Sequence, residues 1–249
     1  MTTARREVLV TGGGRGIGRA IALRFAEEGA RVFVNFFVNR EAAEETAREV
    51  ELRGGVAHVL QADLKEPAEI RRMFAELGRA TDRLDVLVNN AASGVLRDAL
   101  DLSAKQWDWV LNTNARPLLL CVQAALGLMR PGARVISLSS LGSGRVIPGY
   151  AAIGVSKAAL EALTRYLAVE LAPRGIAANA IAAGAVETDV WRAIPNGETV
   201  LEQARARTPS GNLVSAEAVA EVVAFLAGPA AAAIHGQVLV VDGGYSILA

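Results

Sequence analysis

The chain has 249 residues, 52% of them hydrophobic and 21% charged, which supplies a sizeable core and argues against disorder. Lys plus Arg and Asp plus Glu balance at 26 each, so the basic excess expected of a nucleic-acid binder or of a protein coating an anionic membrane is missing. One cysteine, Cys121, excludes an internal disulfide, and without a long apolar run at the amino terminus or elsewhere the chain is expected to be cytoplasmic.

In chain order, short β-branched runs alternate with longer periodic segments. Strands are predicted over Glu7–Thr11, Arg31–Phe36, Val56–Gln61, Leu84–Asn89, Arg134–Ser139, Ile176–Ile181 and Val238–Val241. Their nearly continuous apolar character points to burial on both faces, as in a parallel sheet. Helices are predicted over Gly16–Glu28, Arg40–Arg53, Pro67–Arg79, Lys105–Met129, Tyr150–Ala172 and Ala216–Leu226, with Gly29 closing the first and Pro173 and Gly175 the fifth. Strand–helix alternation along the whole chain predicts an α/β fold: a doubly wound (Rossmann) parallel sheet of seven strands with helices on both faces. With no repeats and no Pro/Ser-rich linker, 1–249 reads as one domain. The weakly patterned stretch 188–214 reads as a substrate-covering lid.

Thr11-Gly12-Gly13-Gly14-Arg15-Gly16-Ile17-Gly18 follows the first strand and opens the first helix. Glycines there let the backbone approach a pyrophosphate, while the helix start offers free N–H groups and a favourable dipole. At the end of the second strand, Asn35-Phe36-Phe37-Val38-Asn39-Arg40 carries no acidic residue to hold the ribose 2′-hydroxyl of NAD. Arg15 and Arg40 are cations that suit a 2′-phosphate, so NADPH is the expected cofactor; Arg40 also reads as a surface residue at a helix start.

The spacing Gly12-x3-Gly16-x-Gly18 resembles the short-chain dehydrogenase/reductase superfamily. That resemblance implies that Asp63 and Leu64, ending the third strand, lie at adenine. It implies that Asn89 steadies the sheet while the backbone at Ala91 passes the ribose, and that Asn114 kinks a helix and holds a proton-relay water. It also implies that Val186 and Thr188 meet the nicotinamide carboxamide or the adjacent phosphate. Ala183 stands where the family usually keeps Pro, which leaves that turn less constrained.

Ser139-Ser140-Leu-Gly-Ser-Gly-Arg-Val-Ile-Pro-Gly-Tyr150, followed after six residues by Lys157, resembles the enoyl-acyl-carrier-protein reductase branch, as do NNAASGVLR (89–97) and SKAALEALTRYLAVEL (156–171). Together they are similar to the NADPH-dependent type III enoyl reductases of bacterial fatty-acid synthesis. Ketone reducers of the superfamily keep the tyrosine four residues before the lysine, where this chain has Ile153. Moving a hydroxyl three residues back along a helix displaces it by roughly 4.5 Å. In conjugate reduction the hydride goes to C3 of a trans-2-enoyl thioester while negative charge collects on the C1 oxygen, roughly 3–4 Å farther out than a ketone oxygen by ordinary bond lengths.

The resemblance therefore assigns Tyr150 to the enolate and Lys157 to the nicotinamide ribose, with the lysine charge expected to make the phenol more acidic. Ser140 reads either as a substrate-contacting hydroxyl or as a strand-end cap. The expected substrate is an enoyl chain on acyl-carrier protein or coenzyme A, and the expected assembly is a homotetramer. A 3-oxoacyl-thioester or small-ketone reductase and a non-catalytic NADP(H) sensor are the alternatives. His58, His235 and Cys121 form no ligand cluster, so no metal is expected.

Overall fold

Buried apolar runs drive seven strands into one parallel sheet. They are Glu7–Val10 (β1), Arg31–Phe36 (β2), Val56–Gln61 (β3), Leu84–Asn89 (β4), Met129–Ser140 (β5), Ala177–Ala183 (β6) and Val238–Val241 (β7), in the order β3-β2-β1-β4-β5-β6-β7. The computed structural model describes residues 5–188 and 197–248. The helices are Gly16–Ala26 (α1), Arg40–Leu52 (α2), Pro67–Ala80 (α3), Ala104–Asn114 (α4), Arg116–Ala125 (α5), Ala151–Leu171 (α6), Gly197–Arg207 (α7) and Ala216–Ala227 (α8). Among the described residues, no helix is long and apolar enough to cross a membrane.

Alternation along each strand sends neighbouring side chains to opposite faces, which is why two apolar layers form. Val8, Val10, Ile136 and Leu138 pack with Ile21 and Phe25 of α1 and with Val219 and Val223 of α8. Leu9, Leu87 and Val135 pack on the other face with Met73 of α3, Leu118 of α5 and Leu160 and Leu167 of α6. The strand order reverses between β1 and β4, and that switch point opens the crevice where such sheets bind ligands.

Three predicted elements differ. The single helix over Lys105–Met129 is two helices: α4 stops at Asn114, where the resemblance implied a kink, and α5 restarts at Arg116, because Pro117 has no N–H to donate to a carbonyl one turn back. Strand β5 begins at Met129, five residues before the predicted start, and its pairing with β4 shifts register between Leu84 and Val86. The stretch 188–214 contains the helix α7, while its residues 189–196 lie outside the described residues.

Candidate active site

The crevice begins with the turn between β1 and α1. Gly16 has φ +53°, a conformation that side-chain-bearing residues rarely adopt, and a Cβ on it would meet the Thr188 methyl group at 3.4 Å. A Cβ on Gly18 would lie 2.3 Å from the Gly12 carbonyl oxygen, and one on Gly12 would lie 3.0 Å from Cα of Ala91. The turn is therefore closed to side chains, and bare backbone lines it at the start of α1. A pyrophosphate fits such a cradle. Arg15 stands exposed at the N-cap position, Gly14 lies against Ala43 of α2, and Ile17 packs on the core.

Two asparagines hold this turn in shape. Asn90 Nδ2 donates to the Thr11 and Gly12 carbonyls at 2.9 and 3.2 Å. Asn35 Oδ1 accepts from the Gly12 N–H at 3.3 Å. The residue that laces the turn is thus Asn90, the neighbour of the Asn89 expected to steady the sheet. Asn89 is buried, and its Oδ1 has no hydrogen-bond partner among the described residues.

The other expected nucleotide contacts sit along the same edge with their own partners. Asp63 pairs with Lys65 Nζ at 3.2 Å, and its Oδ1 accepts from the Lys65 N–H at 3.0 Å; Leu64 beside it is buried. Arg40 lies 5.2 Å over the Phe36 ring and bonds Gln61 at 3.2 Å and Glu44 at 3.4 Å. Val186 forms an isolated bridge with Val214, joining the strand β6 edge to the stretch before α8.

At the end of β5, three successive residues each hold one ionisable side chain. The Leu138 carbonyl accepts from Lys157 Nζ at 2.6 Å. The Ser139 hydroxyl donates to Glu161 Oε1 at 2.5 Å. The Ser140 oxygen accepts from the Gly142 N–H at 3.3 Å, and its hydroxyl acts on the Tyr150 phenol, pulling its pKa down. Tyr150 occupies the N-cap position of α6 rather than its first turn, and its ring lies where a Cβ on Gly142 would be, 2.6 Å from Cδ1. Tyr150 and Lys157 thus converge on one strand end. Ile153, at the four-residue position, fills the space a Cβ on Gly94 would occupy, at 2.3 Å.

Electrostatics separates the two groups. Burial pulls the Lys157 ammonium down to about 8, opposed by the negative charge of Glu161. Burial pushes the Tyr150 phenol above its ordinary range, and the Ser140 hydroxyl opposes that rise. This direction is opposite to the acidification expected from Lys157, whose Nζ is turned onto the Leu138 carbonyl.

Asn114 is fully buried, and both ends of its amide are taken. Oδ1 accepts from the Ser93 N–H at 2.9 Å, and Nδ2 donates to Ser156 Oγ at 2.9 Å. Its side chain therefore ties the chain after β4 to the residue preceding Lys157. Asn90, Asn35, Ser156, Ser139 and Glu161 were not singled out from sequence. Only Glu161, one helical turn after Lys157 on a mostly apolar helix, carried a visible signal. Among the described residues, no group of three or more His, Cys, Asp or Glu could hold a metal ion.

A family model described as Enoyl-(Acyl carrier protein) reductase matches residues 12–246. The chain belongs to the short-chain dehydrogenase/reductase superfamily. Within that superfamily it is 40% identical to a 1-cyclohexenylcarbonyl-CoA reductase of Streptomyces collinus, covering 100% of this chain and 90% of the relative. It is 38% identical to a 3-oxoacyl-acyl-carrier-protein reductase of Staphylococcus aureus, covering 96% of this chain and 97% of that one. A short-chain dehydrogenase from Burkholderia cenocepacia, solved in complex with NADP, superposes with a TM-score of 0.91 at 36% identity, covering 97% of this chain and 98% of the other. This short-chain reductase is therefore an oxidoreductase of that superfamily with a seven-stranded parallel sheet.

Proposed function

We propose that this short-chain reductase is an NADPH-dependent reductase of trans-2-enoyl thioesters carried on acyl-carrier protein or coenzyme A. The observation that carries the reading is the position of the phenol. Tyr150 stands at the head of α6 with its ring against Gly142, while Ile153 packs against Gly94 at the four-residue position. The Streptomyces relative supports it, since its name describes a thioester whose double bond adjoins the carbonyl. The Burkholderia structure with NADP and the absence of an acidic residue over 35–40 support NADPH.

Gly12, Gly14, Gly16, Ile17 and Gly18 would hold the pyrophosphate, Arg15 and Arg40 a 2′-phosphate, Asp63 and Leu64 the adenine side, and Ala91, Val186 and Thr188 the ribose and nicotinamide side. Bound there, NADPH supplies the hydride. That hydride would form a new C–H bond at C3 of the substrate, leaving the nicotinamide oxidised, and the electron pair of the double bond would move toward the C1 oxygen. Tyr150 donates a hydrogen bond to that oxygen, and its raised pKa keeps it protonated for the task. C2 would then take a proton from solvent water to complete the saturated thioester. Lys157 would hold the nicotinamide ribose, Asn114 fixes Ser93 and Ser156 around it, and the described stretch 197–214, with α7, would flank the acyl chain. The reading extends to a homotetramer, with Trp107 and Trp109 of α4 and Tyr166 and Val169 of α6 as exposed apolar surface.

A second reading, reduction of 3-oxoacyl thioesters, is favoured by the Staphylococcus relative. NADPH oxidation measured with crotonyl thioester and, in parallel, with acetoacetyl thioester separates the two. Turnover of the crotonyl substrate is expected. Turnover of the acetoacetyl substrate alone selects the second reading, and silence on both leaves a cofactor-binding role.

A further inference from the structure

We propose that Glu161, held by Ser139, is a positioning residue that keeps the buried Lys157 ammonium charged and turned to the end of β5. The inference rests on the reading of Lys157 as the ribose-holding lysine. Lys157 is only 6% exposed, and a buried ammonium whose one hydrogen-bond partner among the described residues is a carbonyl is costly. Glu161 follows it by one turn of α6, roughly 6 Å along the axis, on the same side of the helix. Strand alternation explains the anchor. Ser139 lies two residues beyond Ser137 on the strand face that carries Val135, and that face packs against Leu160 and Leu167 of α6. The Ser139 hydroxyl donating to Glu161 Oε1 at 2.5 Å therefore fixes a carboxylate beneath the lysine.

No other described group competes for that role. Tyr150 at the head of α6 is a neutral phenol whose pKa is raised. Strand β5 offers hydroxyls and a carbonyl at this end, its Arg130 and Arg134 lying toward the opposite end on the Asp82 and Gly132 carbonyls; β6 carries no titratable residue, and the turn Leu141–Ser143 carries none. On α4, Lys105 and Asp108 are exposed, and the helix reaches this region through neutral Asn114. On α5, Arg116 bonds the Lys65 carbonyl, and Cys121 is an uncharged thiol pushed up to about 12. Arg174, beyond the far end of α6, is exposed. The Glu161 charge is the one that acts on Lys157, and it opposes the downward pull of burial.

The chain has three lysines, Lys65, Lys105 and Lys157, so lysine labelled with carbon-13 at Cε gives three resonances whose titration can be followed by NMR on the whole protein without substrate. Lys65→Arg and Lys105→Arg assign the other two. The Lys157 midpoint is expected at about 8 in the natural sequence. In Glu161→Gln, which removes the charge but keeps an oxygen for Ser139, it is expected to fall by roughly half a pH unit or more. In Ser139→Ala, which frees the carboxylate, it falls by less in the same direction. A midpoint that stays in place or rises in Glu161→Gln overturns the proposal. Should that variant fail to fold, an unmoved midpoint in Ser139→Ala overturns it instead. The titration involves no turnover, so the substrate assay can fail while this result stands, and the reverse.

Discussion

The turn after β1 and the end of β5 face the same crevice but are made in opposite ways. Around Gly12, Gly16 and Gly18 the working surface exists because side chains are missing, and a single methyl at Gly18 would strike the Gly12 carbonyl at 2.3 Å. At Leu138, Ser139 and Ser140 it exists because three particular side chains, Lys157, Glu161 and Tyr150, are each held by one residue of the strand. A surface of bare backbone serves any dinucleotide-binding member of the superfamily. A surface of placed side chains distinguishes one reaction from another.

The largest expected effect tests the first region. Gly18→Ala forces the turn and α1 apart, at a cost of order 3 kcal/mol, and NADPH binding is expected to be lost. Thermal unfolding and fluorescence titration of the cofactor check this, and a variant that binds NADPH normally would show that the turn has slack. The next tests the second region. Tyr150→Phe is expected to lower turnover of crotonyl thioester roughly 100- to 1,000-fold with NADPH affinity retained. Adding Ile153→Tyr to it restores the four-residue interval and is expected to raise the ratio of acetoacetyl to crotonyl turnover about tenfold or more. An unchanged ratio would break the link between tyrosine position and substrate. The smallest effect sits where the regions meet the adenosine: Arg15→Ala is expected to weaken NADPH about tenfold with little change for NADH. Arg40→Ala should do less, because Arg40 already engages Phe36, Gln61 and Glu44.

The two regions also differ in how far the amino-acid order reveals them. The glycine turn is local, so strand, turn and helix start can all be read within a dozen residues. The strands were equally visible because burial on both faces demands continuous apolar runs. The early start of β5 was hidden, since Pro131 and Gly132 look like a terminator while the strand crosses them with a register irregularity. Apolar periodicity continues across the break before Pro117, and only the kink that the resemblance implied at Asn114 pointed to it. At the second region, Tyr150 and Lys157 were legible from their interval, but what holds them was not. Ser139 and Glu161 are 22 positions apart, and no local spacing brings them together. The phenol misled for a related reason: its pKa follows burial, which depends on the packing of Gly142 and Ser140 rather than on a charge along the helix.

The strand order has a consequence for how the chain acquires its shape. β1, β2 and β3 all lie within the first 61 residues, but β1 must wait for β4, and the Val8 to Val86 pairing closes a long loop. During synthesis, a three-stranded fragment with the bare, apolar flank of Val8, Leu9 and Val10 precedes its partner, and such flanks invite pairing between chains. Pairings this distant are slow to form. Of the strands flanked on both sides in the finished sheet, β1 therefore waits longest as an open edge, until β4 closes it and hands the open flank on to β5.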